Sequence, residues 1–492
     1  MLAALARLLL QIAAMPPYAG LDEIYHVARI VFVMNEGRNP DADEPSVPRF
    51  VHDSLAAKPG SLPDFPHARE RWPELVRGAY RLPPQQPLSD ERAYVSINYE
   101  AQQPSLYYWT AAIAARALPD RTPLTQLRLW RLQSVFLALI TIAATALLGY
   151  RLFGASGMVA ALLLPHLPTW QTLVTRASND ALPCALLALA LLATAGGGAR
   201  PRFTEAVMWA LALTAKLYTW PAAAILPLLW WKQRASRARM ALVSIFCAIA
   251  VLVTMFDVRG RTGKALGLEA FNAPRESARA EVPIDYAAIV KVTIASGIWM
   301  SGQHDNALTV RGMALYVLPI VLLIGWTLFR GRAQLHEQRP WLLATAIAII
   351  AFLLAQGVHL SGYVRQAKAL GSSMPLAGKE GWYWFVLAPL VLSAFFGWVF
   401  RVSPRVVTVF VIVWVLLADI AISEGALFRD YAGLTSPASP SQWFRWGPAP
   451  MFGGGLRDAL LRVAIGPLTG AIVWLRAIDV AAIAAIVVSR QK

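Results

Sequence analysis

Long runs of Leu, Ala, Ile and Val recur along almost the whole chain, and they limit its possible folds more than any other feature. Of the 492 residues, 57% are hydrophobic and 15% are charged, whereas a soluble domain carries about 25% charged residues. A run of about 20 apolar residues is long enough for one helix to cross a bilayer. The sequence therefore predicts an all-α integral membrane protein, and it argues against a soluble enzyme, a disordered chain and a fibrous protein.

We expect about twelve transmembrane helices. Residues 1–15 would form the first, and a cleaved signal peptide whose charged start is Arg7 is the alternative. Because no convincing cleavage site follows, we favour an uncleaved helix. The remaining apolar runs lie near 130–150, 156–172, 181–197, 203–217, 219–231, 240–256, 312–329, 341–359, 383–400, 406–423 and 467–488.

Three polar segments divide these helices. The first, residues 16–128, is too long for a simple connector, and we expect an extracytoplasmic loop bearing amphipathic and interfacial helices. The second and third are extracytoplasmic inserts at 257–311 and 424–465. Transmembrane helices then occupy 129–256 and 312–423, and 466–492 holds the last helix with a cytoplasmic tail.

The charge distribution predicts the orientation. The chain has 45 Lys and Arg against 29 Asp and Glu, and we attribute this excess to cytoplasmic loops and anionic lipid headgroups rather than to nucleic acid. With both termini cytoplasmic, every inner connection is basic and all three inserts fall outside, as expected for a multi-pass protein of a plasma membrane. The inner residues are Arg151, Arg200, Arg202, Lys232, Arg234, Arg237, Arg239, Arg330, Arg332, Arg339, Arg401, Arg405, Arg490 and Lys492.

The first candidate site follows the first helix. Asp22 and His26 are four residues apart, and Arg29 continues the same helix face, with Glu23 beside Asp22. A carboxylate held by an imidazole and a guanidinium can act as a general base. The alternative is a solvated first turn, where Asp and Glu favour the helix dipole.

Further candidates occur in three segments. Glu100, Gln103 and Tyr107 lie at the start of an apolar helix, where an interfacial cap with an aromatic belt is the alternative. Asn179 and Asp180 precede another helix and could simply cap it. Lys216 ends a third helix, where it could extend its ammonium group to the interface or pair with a phosphate.

The predicted topology places all these residues at the same membrane face, and it adds Arg365, Lys379 and Glu380. Acids and cations around one cavity suit an anionic lipid phosphate as leaving group and an acceptor that needs a base. The two cysteines, Cys184 and Cys247, lie in apolar runs and make neither a disulfide framework nor a metal site, and no HExxH motif is present.

Several motifs together resemble the GT-C glycosyltransferases, the membrane enzymes that take sugars from polyprenyl-phosphate donors. PPYAGLDEIYH resembles their acidic first-loop motif, YEAQQPSLYYW their "HPPLYY" segment, RASNDAL their "SNDA", AKLYTWP their lysine-bearing span, and LAGKEGWYWFVLAPL their late "GRY–LP" segment. The order and rough spacing agree over most of the chain. The resemblance is to the protein mannosyltransferase and aminoarabinose transferase type, and in particular to a bacterial subgroup, which implies a location in the inner membrane.

The resemblance implies an inverting transfer to a glycan, lipid or protein acceptor, with Asp22 as the catalytic base and Glu23 as the second choice. Lys216 and Tyr383 would match donor-binding positions. Trp382 stands where the family has an arginine, so Arg365 or Lys379 would substitute, and Gln103 and Ser105 also depart from the family pattern. Some relatives bind a divalent cation, for which Asp22, Glu100 and Asp180 could provide oxygens. We expect no obligatory metal or other cofactor.

Two other function classes stay open. A transporter or flippase of a lipid-linked glycan would place binding residues near the bilayer midplane, whereas the predicted spans are nearly free of acids and bases in their middles. A membrane scaffold would not need an acid–His–Arg face. A glycosyltransferase acting at the extracytoplasmic face therefore accounts best for the sequence.

Overall fold

The computed structural model describes residues 1–14, 22–56, 93–118, 122–198, 202–263, 283–298, 310–330, 335–369, 380–403 and 405–419, with a few isolated positions besides. Most of these residues are helical, as the sequence predicts. The predicted insert at 424–465, the last span and Lys379 lie outside the described residues.

The helices, numbered in chain order, have the following bounds. They are α1 Leu2–Ala14, α2 Glu23–Glu36, α3 Arg49–Ala56, α4 Leu106–Arg116, α5 Pro123–Phe153, α6 Ala155–Ala161, α7 Pro168–Val174, α8 Ala181–Ala195, α9 Phe203–Ala215, α10 Leu226–Lys232, α11 Arg237–Thr262, α12 Tyr286–Ile298, α13 Val310–Arg330, α14 Leu335–Ala369, α15 Gly381–Val402 and α16 Arg405–Asp419. Short 3₁₀ segments occupy Tyr99–Gln102, Leu164–His166 and Leu217–Ile225. Helix α15 itself begins as a 3₁₀ segment, Gly381–Leu387, and contains a π-helical segment, Val391–Phe396.

Four helical segments within the described residues are long and apolar enough to cross a membrane, which identifies a membrane protein. They are Thr125–Phe153, Arg237–Thr262, Arg339–Lys368 and Gly381–Val402. Five shorter apolar helices are Ala155–His166, Ala181–Ala195, Phe203–Ala215, Tyr286–Ile298 and Met313–Phe329. This supports the predicted class of fold, while the number of twelve spans stays a prediction.

Two predicted spans are interrupted by proline. The run at 156–172 is divided into α6, a 3₁₀ turn and α7, with Pro165 in that turn and Pro168 opening α7. The run at 219–231 begins as a 3₁₀ segment that contains Pro221. Proline lacks a backbone donor and clashes with the preceding helical turn, so neither run can continue as one regular α-helix. The second break places irregular backbone directly after Lys216.

The first loop has its own packed core. The predicted amphipathic helix is α2, whose residues Ile24, Val27, Ile30 and Val31 are all buried, in one core cluster with Tyr108 of α4 and Trp130 of α5. The predicted helix after residue 104 is confirmed as α4. This packing fixes the two ends of the first loop against α5.

A small sheet departs from the predicted all-α fold. Strand β1, Pro45–Pro48, pairs antiparallel with β2, Tyr94–Ile97, and Pro45 lies opposite Ile97. Strand β1 contains two prolines, which cannot donate to a ladder and are confined to edges and irregular positions. Its pairing with a distant segment could not be recognised from a local pattern. The sheet brings the chain just before Glu100 next to the C-terminal side of α2.

Close packing of glycines holds the helical core behind the first loop. Gly149 of α5 and Gly157 of α6 meet backbone to backbone, and a Cβ on either would clash with the other. A Cβ at Gly397 of α15 would lie 3.0 Å from Gly157 Cα. Small residues allow such close approach between membrane helices. Helix α8 packs against α5 and α9 in this bundle, which brings the starts of α8 and of the Leu217–Ile225 segment together.

Candidate functional site

Asp22, the residue immediately before α2, is the first candidate residue of the first loop. Its φ of 55° lies in the left-handed region, which costs free energy for any residue except glycine. The half-buried side chain makes no capping hydrogen bond. Asp22 is thus the N-cap of α2 and not part of the predicted helix face. Its side chain has no hydrogen bond to another described residue, and His26 and Arg29, which were expected to hold it, bind Tyr108 and backbone carbonyls instead.

Glu23, the second predicted catalytic residue, is fully buried. Arg131 of α5 donates to both of its oxygens, at 2.8 and 2.6 Å, and the amide of Ala177 donates to Oε1 at 2.9 Å. Both carboxylate oxygens therefore hold parts of the structure together. This contact joins the start of α2 to α5 and to the loop that carries Asp180.

Arg29 continues the predicted face, and its guanidinium holds the backbone around Glu100. It donates to the carbonyl oxygens of Glu100 and Gln103, at 2.6 and 2.8 Å, and its carbon lies 3.8 Å from the Tyr108 ring centroid. Arg261 of α11 donates to the carbonyls of Ala101 and Gln103 from the other side. The two arginines form a clamp that fixes the Glu100 turn.

The side chains of His26, Tyr108 and Glu100 form a buried chain of hydrogen bonds. The Tyr108 hydroxyl lies 2.9 Å from His26 Nδ1 and donates to Glu100 Oε2 at 3.3 Å. Burial lowers the pKa of His26 well below its usual range, so the imidazole is neutral at neutral pH. Because the hydroxyl hydrogen is directed to Glu100, His26 Nδ1 is the protonated nitrogen and donates to Tyr108.

Asp180 and Lys216 meet across the starts of α8 and the Leu217–Ile225 segment. Lys216 is buried, and its ammonium group donates to Asp180 Oδ1 and, at 2.9 Å, to Asn179 Oδ1. Arg176 donates to Asp180 Oδ2 at 2.6 Å. Burial alone would raise the pKa of Asp180, but the adjacent Lys216 and Arg176 outweigh it and hold that pKa far below its usual range.

These groups share one electrostatic environment. Burial raises the pKa of Glu100 to about 7, and the charge of Asp22 adds to the rise while Lys216 and Arg29 oppose it. The same cations and Asp180 act on His26. Together with Asn179, which accepts from Lys216, they form the set that we call the central cluster. Its members are Asp22, His26, Glu100, Arg176, Asn179, Asp180 and Lys216.

Three buried donor atoms in the central cluster are unpartnered within the described part of the chain. Arg176 Nε and Nη1 and Asn179 Nδ2 are buried and have no hydrogen-bond partner among the described residues. A buried donor that makes no hydrogen bond lowers stability by about 1–3 kcal/mol. An anion bound beside Lys216 would satisfy them.

The other predicted residues have varied surroundings. Tyr107 is fully buried, with its ring edge-on to Tyr108 at 5.5 Å. Tyr383 packs on Tyr218 with ring centroids 4.2 Å apart, and the Lys216 ammonium lies 5.2 Å from that Tyr218 ring. Arg365 is exposed near the end of α14. Among the described residues no group of three or more His, Cys, Asp or Glu side chains could hold a metal ion.

Sequence reasoning missed the residues that support the site. Arg131, Arg261 and Tyr108 make the contacts that fix Glu23, the Glu100 turn and Glu100 itself. Arg131 and Arg261 lie 108 and 158 residues from their partners, so no spacing rule indicates them, whereas Tyr108 lies only 8 residues from Glu100. The one available signal was the presence of arginines at the ends of apolar runs, which the positive-inside rule could not assign to this role.

A second buried polar group lies among the helices. Arg7 of α1 donates to both oxygens of Asp419 at the end of α16, at 3.1 and 2.7 Å. His166 Nδ1 lies 3.2 Å from Asp419 Oδ2, and Gln171 donates to Oδ1 at 2.8 Å. The expectation that the spans carry almost no charge in their middles is therefore wrong for α1, because ion pairing compensates the burial of Arg7.

No family model, no curated protein and no solved structure matches this chain. The central cluster combines a carboxyl group that titrates near neutral pH, a second carboxylate without a hydrogen bond, and buried cationic donors. This arrangement can take up a proton on one side and hold an anionic group on the other.

Proposed function

We propose that this protein is an inverting glycosyltransferase that moves a sugar from a polyprenyl-phosphate donor to an acceptor at the extracytoplasmic face of a bacterial inner membrane. The observation that carries the proposal is the meeting of orphaned buried donors with titratable carboxyl groups in the central cluster. The buried donors would hold the lipid phosphate as it leaves, and a carboxylate would take the proton from the acceptor.

The donor phosphate would bind beside Lys216. The unpartnered Nε and Nη1 of Arg176 and the Nδ2 of Asn179 lie on residues that already contact the Lys216–Asp180 pair or flank it. Charge-assisted hydrogen bonds are the strong ones, and guanidinium groups match phosphate geometry. Arg176 takes the role that the sequence suggested for Arg365 or Lys379.

The base would be Asp22, as the sequence resemblance implies. Its side chain has no hydrogen bond to satisfy within the described residues, and its left-handed backbone is the kind of local strain that functional sites retain. Glu23, whose two oxygens are occupied by Arg131 and Ala177, is less suited to the role. A single-displacement transfer needs one such base and no second nucleophile.

An apolar pocket suits the lipid chain of such a donor. Its volume is about 460 Å³, and its wall includes Gly381, Trp384 and Phe385 of α15. Tyr383, one of the two residues between Gly381 and Trp384, packs instead on Tyr218 next to Lys216. The first turn of α15 thus borders both an apolar pocket and the central cluster, as an amphipathic substrate requires.

Binding of the donor phosphate is tested with purified protein in nanodiscs, polyprenyl phosphate and the uncharged polyprenol of the same chain length. We expect the phosphate to raise the melting temperature and the alcohol to have little effect. Lys216→Ala should weaken phosphate binding about ten- to a hundredfold, the value of one charge-assisted contact. Lys232→Ala, at an exposed position, is the matched control and should bind normally.

Transfer is tested by mass spectrometry of cell-envelope glycans in a deletion strain complemented with wild type or with Asp22→Asn. A glycan that is lost on deletion and restored only by wild type supports the enzyme. Restoration by Asp22→Asn, Glu23→Gln and Glu100→Gln alike would refute it.

The proposed orientation has a separate test. In a background with Cys247→Ser, Asp43→Cys should react with a membrane-impermeant thiol reagent in intact cells, and Ala238→Cys should react only after lysis. Both positions are exposed. Labelling of Ala238→Cys alone in intact cells would reverse the topology.

A transporter of a lipid-linked glycan is the second candidate function, and the Arg7–Asp419–His166–Gln171 group favours it. Buried ionisable residues among membrane helices often mark transport pathways. Proteoliposomes holding a fluorescent lipid-linked sugar distinguish the two functions. Translocation that is lost in Asp419→Asn and unaffected by Asp22→Asn would support the transporter.

A further inference from the structure

Glu100 occupies a position that the proposed reaction has not yet used. It is 5% exposed, its backbone is clamped by Arg29 and Arg261, and its side chain is held by Tyr108. Such fixation of a carboxyl group from both backbone and side chain is what precise proton transfer needs.

We propose that Glu100 is the acid of the transfer reaction and donates a proton to the lipid phosphate as it leaves the sugar. This inference rests on the proposed function. The charges of Asp22, on the acceptor side, and of Lys216, which would hold the phosphate, both act on Glu100. Because Asp22 is already assigned to the acceptor, the clamped carboxyl group of Glu100 is left to serve the leaving group. Asp22 then serves the acceptor side.

The charged and titratable groups that face Glu100 come from every element around it. They are Asp22 before α2, His26 and Arg29 in α2, Tyr108 in α4, Asp180 before α8, Lys216 after α9 and Arg261 in α11. The two acidic neighbours favour the protonated carboxyl group and the cations favour the ionised one. Burial adds to the effect of the acids, and the pKa of about 7 that results lets Glu100 carry a proton at neutral pH.

The hydrogen-bond chain determines which oxygen carries that proton. Tyr108 donates to Oε2, so Oε2 acts as the acceptor and the proton resides on Oε1. His26, which donates to the tyrosine oxygen at 2.9 Å, keeps the hydroxyl hydrogen directed at Glu100. His26 and Tyr108 are positioning residues in this arrangement.

The step balances as follows. The acceptor oxygen bonds to the anomeric carbon while the bond from that carbon to the phosphate oxygen breaks, and the electron pair stays on the phosphate. The acceptor's proton moves to Asp22, and the Glu100 proton moves to the departing phosphate, which leaves as a monoester monoanion. A proton transfer from Asp22 to Glu100 then restores the starting state.

The test is the pH dependence of single-turnover transfer by the full-length protein in nanodiscs. The donor is the native lipid-linked sugar fraction extracted from the source membranes. Wild type should lose rate above pH about 7, about tenfold for each further pH unit, as Glu100 loses its proton. Glu100→Gln should be about a hundredfold slower at pH 6.5 and should show no such decline at higher pH. Glu44→Gln, a partly exposed acid of the same loop, should keep the wild-type profile.

Binding of polyprenyl phosphate to Glu100→Gln should stay within about threefold of wild type, which separates folding from chemistry. If that variant does not fold, Glu100→Asp takes its place and should be slower with the decline retained. An active wild type together with an unchanged profile in Glu100→Gln would overturn the acid role and leave the glycosyltransferase intact. An inactive wild type with every donor fraction would overturn both.

Discussion

Two buried ion-pair systems in this protein are built differently. Arg239 of α11 donates to both oxygens of Glu205 in α9, at 2.7 and 2.9 Å, and to Gly198 and Gln233 at 2.6 and 2.8 Å. The pair is fully buried and its donors are used. The central cluster instead leaves donors of Arg176 and Asn179 without partners among the described residues.

The difference indicates what each system is for. In the Arg239–Glu205 pair, hydrogen bonds within the protein offset the free-energy cost of burying both charges, as a structural contact must. We call this pair saturated and the central cluster unsaturated. In the central cluster, the unpartnered donors leave hydrogen bonds that a bound molecule can make. Functional sites are where proteins depart from complete internal hydrogen bonding. On sequence alone the two were indistinguishable, because Arg239 counted only as one more residue of a basic inner loop.

The largest expected effect follows from breaking the saturated pair. Arg239→Ala would leave Glu205 buried without its partner, which costs about 3–5 kcal/mol, so we expect little folded protein in detergent. Arg237→Ala, at an exposed position on the same helix, should change stability by less than about 0.5 kcal/mol. Size-exclusion profiles and melting temperatures measure both, and a well-folded Arg239→Ala protein would contradict the structural role.

The second prediction separates neighbouring acids. Asp22→Asn should fold normally and lose about 10²–10⁴ in transfer rate, whereas Glu23→Gln should mainly lower stability because Arg131 loses its carboxylate. Melting temperature and single-turnover rate, measured together, make the distinction. A stable but inactive Glu23→Gln would exchange the two roles.

The third prediction concerns stability and pH. The folded-state pKa of Glu100, about 7, exceeds its unfolded value of about 4.3, so the folded protein binds the proton more tightly. The free energy of unfolding of the wild type therefore falls as the pH rises from about 4.3 to about 7. Glu100→Gln avoids this loss and should be more stable than wild type at pH 8, by up to about 3 kcal/mol, and similar at pH 4.5. If wild type and Glu100→Gln had the same melting temperature at pH 8 as well as at pH 4.5, the raised pKa of Glu100 would be contradicted.

Much of the helical architecture could be predicted from the sequence, because apolar periodicity is a local property. The burial of Ile24, Val27 and Ile30 on one face of α2 is an example. The 3₁₀ segment at Leu217–Ile225 was not predicted, although Pro221 is a local signal that a regular span could not continue. Strand β1 could not be predicted either, since its partner lies far along the chain.

The site was predictable only in part. Residue type and spacing selected Asp22, Glu100, Asp180 and Lys216, and their mutual electrostatic influence in the structure agrees with that selection. Spacing could not show that Arg29 binds backbone carbonyls or that Glu23 belongs to Arg131. These assignments depend on tertiary contacts between residues separated by many tens of positions, which no local pattern encodes.

The smallest expected effect tests the role of the His26–Tyr108–Glu100 hydrogen-bond chain. The chain is either structural, like the Arg239–Glu205 pair, or functional, like the rest of the central cluster. Tyr108→Phe removes the hydroxyl group between His26 and Glu100 and keeps the ring on which Arg29 stacks. One lost hydrogen bond costs about 0.5–1.5 kcal/mol, so the melting temperature should fall slightly. If the hydroxyl positions the Glu100 proton, the transfer rate at pH 6.5 should also fall severalfold, while polyprenyl phosphate binding should not change. Loss of stability with an unchanged rate would assign Tyr108 a structural role like that of Arg239, and would leave Glu100 to act without it.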